Sequence, residues 1–338
     1  MTKIVKFSKP YNPIFKIKKN FFINNAYNLQ NSIKINKFYK KQPIRKYCKN
    51  CNSKNLKEFI INFGIKYKIC LFCNHLNGNY QDTEKFAEKL YNSYKGKSYA
   101  KNYMNNYQSR VKNIYLPKVN FLKQVIKKKI KILDLGCGAG HFLKALEIKK
   151  IKGIGFDTSK ELCDLGNKKL RKNKIYYIKL NEIYKIIENT NKINTLSLIG
   201  VLEHLSSPEK ILDSFKKSKI QFLYLSLPLF SLSTFLENSF LNVFPRQLSG
   251  GHTHLYTAKS INHLIKKYKL KIVGEYWFGT DIADLYRSLI NSAKILNKKI
   301  YLNELNEKFS NSIDDLQSVL DRNKISSEVH LILKNKNI

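Results

Sequence analysis

Acidic residues are scarce in this sequence: 24 Asp and Glu stand against 62 Lys and Arg, a formal charge of +38 over 338 residues. Residues 1–57 contain neither Asp nor Glu. A positive field of that size draws nucleic acid, phosphate-bearing substrates and anionic lipid alike. The lysines are spread along the whole chain among Asn and Ile, however, so charge alone selects no partner. Long apolar runs are also missing. The longest, FLYLSLPLFSLSTFL from Phe222, contains Pro228 and is shorter than the roughly 20 residues that cross a membrane, which excludes a transmembrane segment. Lys interrupts every stretch that could serve as the apolar core of a secretory signal. A cytoplasmic location is therefore expected, and with it thiols rather than disulfides. Residues 1–45, where Lys mixes with Phe, Tyr and Asn, are expected to form a basic arm, disordered or loosely docked. The remaining length suffices for one large domain with an appendage.

Cysteine is sparse but ordered. Of six, Cys48, Cys51, Cys70 and Cys73 form two C-x2-C pairs, while Cys137 and Cys163 stand alone. Two such pairs supply four thiolates on two tight turns, the donor set and geometry of a closed structural zinc site, so residues 46–80 read as a zinc ribbon binding Zn2+. His75 is surplus to that set and is expected at the surface. Residues 81–128 read as a Tyr-rich helical linker in which Tyr99, Tyr103 and Tyr107, four apart, share one helix face and pack on a neighbouring domain.

From residue 129 apolar runs alternate with amphipathic stretches. Strands are expected at 130–137, 152–157, 175–180, 195–202, 220–228, 270–278 and 328–334. Their continuous apolar character implies cover on both faces, hence a mainly parallel, doubly wound α/β sheet. Ser207 with Pro208, and Thr257 ahead of Ile261, Leu264 and Ile265, mark helix starts. Ligands are then expected beyond the carboxyl ends of the strands. Residues 229–256 are long for a connection and suggest a lid or substrate insertion, with Phe230, Phe235, Phe240 and Phe244 covering a pocket.

The first of these strands runs into LDLGCGAGHF, with Gly136, Gly138 and Gly140 in a loop between strand and helix. A dinucleotide fingerprint would place glycine at 141, where His stands. Asp157 ends the second strand, where a carboxylate can accept from both hydroxyls of a ribose. Asp134, just before the loop, would repel a pyrophosphate and welcome a cation. The implied ligand is an adenosine joined to an ammonium or sulfonium group.

These residues resemble the class I S-adenosylmethionine-dependent methyltransferases, and the resemblance extends over 129–335 to GVLEHLSSPEKIL after the fourth strand. It implies a seven-stranded Rossmann-like sheet with the last strand antiparallel. It also implies that Gly136, Cys137, Gly138 and Gly140 wrap the methionine part of S-adenosylmethionine, that Asp134 holds its amino group and Asp157 its ribose, that Asn181 lies near the adenine, and that Glu203 orients the ligand. Asn194 stands where such proteins often begin the fourth strand with Asp. The ribbon and the helix after it are similar to the module ahead of the methyltransferase domain in sugar methyltransferases and enzymes of surface-polysaccharide biosynthesis. Their C-methylating members carry a further C-terminal domain, so the resemblance leaves O- or N-methylation of an activated sugar, nucleotide- or lipid-linked. An RNA methyltransferase is the alternative. Against it stand the absence of an Asn/Asp-Pro-Pro-aromatic sequence after the fourth strand and the lack of a cysteine placed as a nucleophile. Methyl displacement needs alignment and removal of the acceptor's proton. That points to His204 at the fourth strand end and to His252 and His254 in GGHTHLYT as catalytic candidates. A metal at the last pair is not expected, for want of a carboxylate or third histidine at ligand spacing.

Overall fold

The computed structural model describes residues 2–17, 23–90, 105–248, 251–336 and 338. Twelve strands fall into two sheets among the described residues. In chain order they are β1 (Ile4–Phe7), β2 (Leu56–Asn62), β3 (Ile65–Cys70), β4 (Leu76–Gly78), β5 (Lys131–Leu135), β6 (Lys152–Asp157), β7 (Lys174–Tyr177), β8 (Thr195–Ile199), β9 (Phe222–Pro228), β10 (His254–Leu255), β11 (Leu270–Trp277) and β12 (Glu328–Asn335).

The large sheet has the order β1-β11-β12-β9-β8-β5-β6-β7. Every neighbouring pair is parallel except β11 with β12 and β12 with β9. The seven strands expected from the sequence are all present, the last antiparallel, with helices between them. β9 is buried along its whole length, as a strand covered on both faces must be. The order reverses at β5, with β6 on one side and β8 on the other, which opens a crevice above their carboxyl ends. Asn194 caps the entry to β5: its amide accepts from Lys131 N–H at 3.0 Å and donates to Lys129 O at 2.7 Å.

The eighth strand comes from the segment expected to be a loose arm. β1 runs parallel to β11 and closes its outer edge, pairing Ile4 with Gly274 and Phe7 with Trp277. Its charge does not keep it in water. Lys3 bonds Glu275 at 2.5 Å, and the ammonium groups of Lys6 and Lys9 lie over the rings of Tyr276 and Phe278 at 4.7 and 3.6 Å. The helix Asn25–Tyr39 likewise puts Ile35 and Tyr39 into the core of the ribbon.

That ribbon is a four-stranded antiparallel sheet, β10-β4-β3-β2. Its two cysteine turns are built alike. Asn52 and Asn74, each just after a C-x2-C pair, take the left-handed conformation that Asn tolerates (φ 62 and 56), and donate back to Cys48 O at 2.9 Å and Cys70 O at 2.7 Å. The fourth strand, β10, is supplied from residues 229–256. The histidine segment therefore pairs with the ribbon, His254 opposite Asn77, while Tyr256, two residues on, bridges to Leu229 just beyond β9 of the large sheet. The same insertion carries the helix Leu232–Ser239, where buried Glu237 accepts from the N–H groups of Arg246, Gln247 and Leu248. Phe244 is buried, Phe230 packs against the ribbon and touches Phe59, and Phe235 is half exposed. No described helix is long and apolar enough to cross a membrane.

Candidate functional site

The loop after β5 turns because three glycines accept positive φ: Gly136 at 64, Gly138 at 55 and Gly140 at 72. At Gly136 a Cβ would lie 2.6 Å from Val201 Cγ2, so backbone curvature and close packing both require glycine there. Asp157, at the end of β6, holds the loop from above: its carboxylate accepts Gly138 N–H at 2.7 Å and Ser159 N–H at 2.9 Å. Burial raises its pKa and these N–H donors pull the other way. Asp134 is 2% exposed and accepts the Ser197 hydroxyl at 2.6 Å. Burial lifts its pKa to about 7. A carboxylate so desolvated gains most from a cation placed beside it, which fits the amino end of a methionine. The Cys137 thiol packs on the backbone of Gly155, where a Cβ would come within 2.6 Å of its sulfur, and burial pushes its pKa well above the ordinary value. Asn181 is exposed in the turn Leu180–Glu182 beyond β7.

His141, in the place of the fingerprint's last glycine, is buried between Tyr107 and Tyr115, at ring distances of 4.2 and 5.3 Å. The Tyr107 hydroxyl donates to Ala139 O, also in the loop, at 3.3 Å. Tyr107 thus packs behind the glycine loop; Tyr99 and Tyr103 lie outside the described residues.

The sequence reading missed Lys118. It sits on the buried stripe of the helix Leu116–Val125, in step with Leu122 and Val125, and is 7% exposed. Burial lowers its pKa, while Glu328, Glu203 and Asp134 act on it electrostatically in the opposite sense. The available signal was a lysine at an apolar i, i+4, i+7 position.

Beyond β8 the turn Leu202–His204 carries Glu203 and His204. Glu203 is 5% exposed, its Oε2 has no hydrogen-bond partner among the described residues, and burial raises its pKa to about 8. Its Oε1 is 3.8 Å from His204 Nε2. His252 is brought up from the other side, its ring 5.0 Å from that of His204. The structure thus gathers two of the three candidate histidines and a carboxylate, a set that sequence spacing had not foreseen.

His254 is placed differently. It is buried, donates through Nε2 to Glu203 O at 2.9 Å, and accepts through Nδ1 from His75 Nε2 at 2.8 Å. Burial holds its pKa well below the usual range, so the ring is neutral. His75, expected at the surface, is fully buried, because this bond joins the ribbon to the Glu203 turn.

The ribbon cysteines meet as zinc requires. Their sulfurs lie 3.7 Å apart for Cys48 and Cys73 and 3.6 Å for Cys51 and Cys70, with all four within 4.8 Å of one another. Zinc–sulfur bonds of about 2.3 Å give a tetrahedral edge near 3.8 Å. Asn50 and Asn77 direct amide N–H groups at Cys73 and Cys48 at 3.6 and 3.5 Å, and Asn50 also reaches Ser260 O at 2.9 Å. Between ribbon and large domain lies a cleft of about 530 Å³. Lys46, Lys49, Tyr47, Lys267 and Tyr268 line it, together with Ser206 and Ser207, which follow the Glu203–His204 turn in the chain.

A family model described as a methyltransferase domain matches residues 107–275. Among solved structures, the chain is similar to magnesium protoporphyrin IX methyltransferase from Synechocystis PCC 6803, at 11% identity and a TM-score of 0.49 over 75% of this chain and 100% of that one. It is also similar to an S-adenosylmethionine-dependent methyltransferase from Archaeoglobus fulgidus, at 16% identity and a TM-score of 0.41 over 65% and 92%. The plantazolicin methyltransferase shares 15% identity, with a TM-score of 0.44 over 74% and 93%. No curated protein matches the sequence.

Proposed function

The chain belongs to the methyltransferase-domain family; from that premise we propose that it transfers the methyl group of S-adenosylmethionine, and that its acceptor is the hydroxyl or amine of a small anionic molecule, an activated sugar or polysaccharide precursor. The observation that carries this reading is the Glu203–His204–His252 corner beyond β8, beside a cleft where Lys46, Lys267, Tyr47 and Tyr268 stand among Glu84 and Glu209 and where Lys49 is paired with Asp82. Lysines suit the phosphates of a nucleotide- or lipid-linked sugar, and the tyrosine rings suit its apolar faces.

Bound S-adenosylmethionine supplies an electrophilic methyl group, and its sulfur would keep the electron pair of the broken carbon–sulfur bond, which leaves the chain to supply alignment of the acceptor and a place for its proton. Asp134 would hold the cofactor's ammonium, and the buried Lys118, whose charge Asp134 favours, would meet its carboxylate. Asp157 takes the ribose hydroxyls while still fastening Gly138. Gly136, Cys137 and Gly140 would shape the loop against the methionine, Asn181 would serve the adenine, and Glu203 would orient the ligand. His204 and His252 promote loss of the acceptor's proton at their corner. His254 holds the Glu203 backbone from the ribbon side, a positioning role. The four ribbon cysteines hold Zn2+ and fix that side of the cleft.

The deciding experiment offers methyl-labelled S-adenosylmethionine with a panel of nucleotide sugars and, in parallel, unmodified RNA. Label in a nucleotide sugar is expected. Label in RNA alone would overturn the acceptor assignment and make the chain an RNA methyltransferase, the use its +38 charge equally allows.

A further inference from the structure

We propose that Glu203, His204 and His252 form a second metal site, separate from the cysteine ribbon, for a divalent cation such as Mn2+, Fe2+ or Zn2+. One donor atom from each of the three lies within 4.8 Å of the others. Metal bonds of about 2.1 Å set donor spacings near 3.0–3.4 Å, so the widest pair in the set closes by at most about 1.4–1.8 Å on binding, within reach of side-chain rotation.

Orientation supports the site as strongly as proximity. His204 donates Nδ1–H to Gly251 O at 2.8 Å, and His252 donates Nδ1–H to Gln247 O at 3.1 Å. In each ring that bond puts a proton on Nδ1, so that the neutral ring offers its Nε2 lone pair, the arrangement by which proteins present histidine to a metal. The third donor is unusual in its own right. Glu203 is 5% exposed, and its Oε2 finds no hydrogen-bond partner among the described residues. A buried, unpartnered carboxyl oxygen beside two imidazoles is costly when ionised, and a cation held between them would offset that cost in place of the proton. The turn that bears it is also tied down, since Glu203 O accepts from His254 and His254 from His75 of the ribbon. Two imidazoles and one carboxylate suit borderline divalent ions and leave coordination positions open.

The use of the site rests on the methyl-transfer reading: a cation there would hold the acceptor oxygen and acidify a hydroxyl, and the histidines would then promote proton loss as ligands. Binding itself does not depend on that reading and is tested without cofactor or acceptor. The zinc-loaded full chain, dialysed against a mild chelator, is titrated with Mn2+ alone and followed by electron paramagnetic resonance. One Mn2+ per chain is expected, in addition to the zinc held by cysteine. Glu203→Gln, His204→Gln and His252→Gln should each weaken Mn2+ binding by more than about tenfold. Zinc content stays at one per chain throughout, and His252→Gln keeps wild-type affinity for S-adenosylmethionine, which rules out misfolding as the cause. No Mn2+ bound by the wild-type chain, or equal binding in all three variants, overturns the site. If Mn2+ binds as expected and no acceptor is methylated, the metal site stands and the acceptor reading falls. If methyl transfer proceeds fully in a chain that binds no second metal, the reverse holds.

Discussion

Replacing Asp134 by Asn should make the cofactor-free protein more stable and the cofactor bind more weakly, two effects of opposite sign from one atom. Asp134 is 2% exposed and its carboxylate accepts the Ser197 hydroxyl, which an amide oxygen accepts equally well. Its pKa in the folded chain is about 7 against an ordinary 3.8. A carboxyl group whose folded pKa is raised is accommodated when protonated and penalised when charged. Wild-type stability from this group is thus intact below about pH 4 and is lost as pH rises towards 7. At about 1.4 kcal/mol per pH unit, the loss approaches ~4 kcal/mol as an upper bound at pH 8. Asn carries no such penalty. The difference in Tm between Asp134→Asn and wild type should therefore be largest at pH 8 and fade on acidification to pH 5. With S-adenosylmethionine the order reverses: loss of one charge-assisted hydrogen bond to the ammonium, about 1.5–3 kcal/mol, weakens binding by about 10- to 150-fold. Thermal melts from pH 5 to 8 and calorimetry at pH 8 read both. A variant less stable than wild type at pH 8, or one that binds S-adenosylmethionine equally well, would refute the placement of this carboxylate as an unpaired seat for a cation.

His254 and His252 should separate by assay. His254→Ala breaks a buried hydrogen-bonded chain and should cost about 2–3 kcal/mol of stability, read by denaturant melts, whereas His252→Gln should shift stability by less than about 0.5 kcal/mol and lower kcat. Cys51→Ser should release zinc, measured by metal analysis, and with it the His75 support of the Glu203 turn. Turnover then falls further than S-adenosylmethionine affinity does, because the glycine loop lies on the other module. Deleting residues 1–9 uncovers the β11 edge and removes the packing of Ile4 and Phe7 against the two cores of the large sheet. The expected loss is about 2–4 kcal/mol, with faster hydrogen exchange along β11.

What was legible in the sequence was local. Two C-x2-C pairs, a glycine loop between strand and helix, and continuous apolar runs each encode their structure within a few residues, so the ribbon and the strands of the large sheet could be placed from spacing alone. The features that escaped are long-range. His75 meets His254 across 179 positions, and His252 reaches His204 only because β10 leaves the large domain to pair with the ribbon. The N-terminal strand was hidden by its lysines, whose stems and ammonium groups cover Tyr276 and Phe278. Lys118 was hidden the other way, by lying on an apolar stripe whose pattern it interrupts only once. Composition describes a charge; it does not say which ring or carboxylate that charge will meet.

The central claim, a methyl-donor site built from the β5 loop, Asp134 and Asp157, is tested most directly by calorimetric titration of the zinc-loaded full chain with S-adenosylmethionine. One molecule should bind per chain, and binding should be lost in Asp157→Ala. A wild-type chain that keeps its zinc and its cooperative melt yet gives no binding heat at any temperature tried would contradict the account.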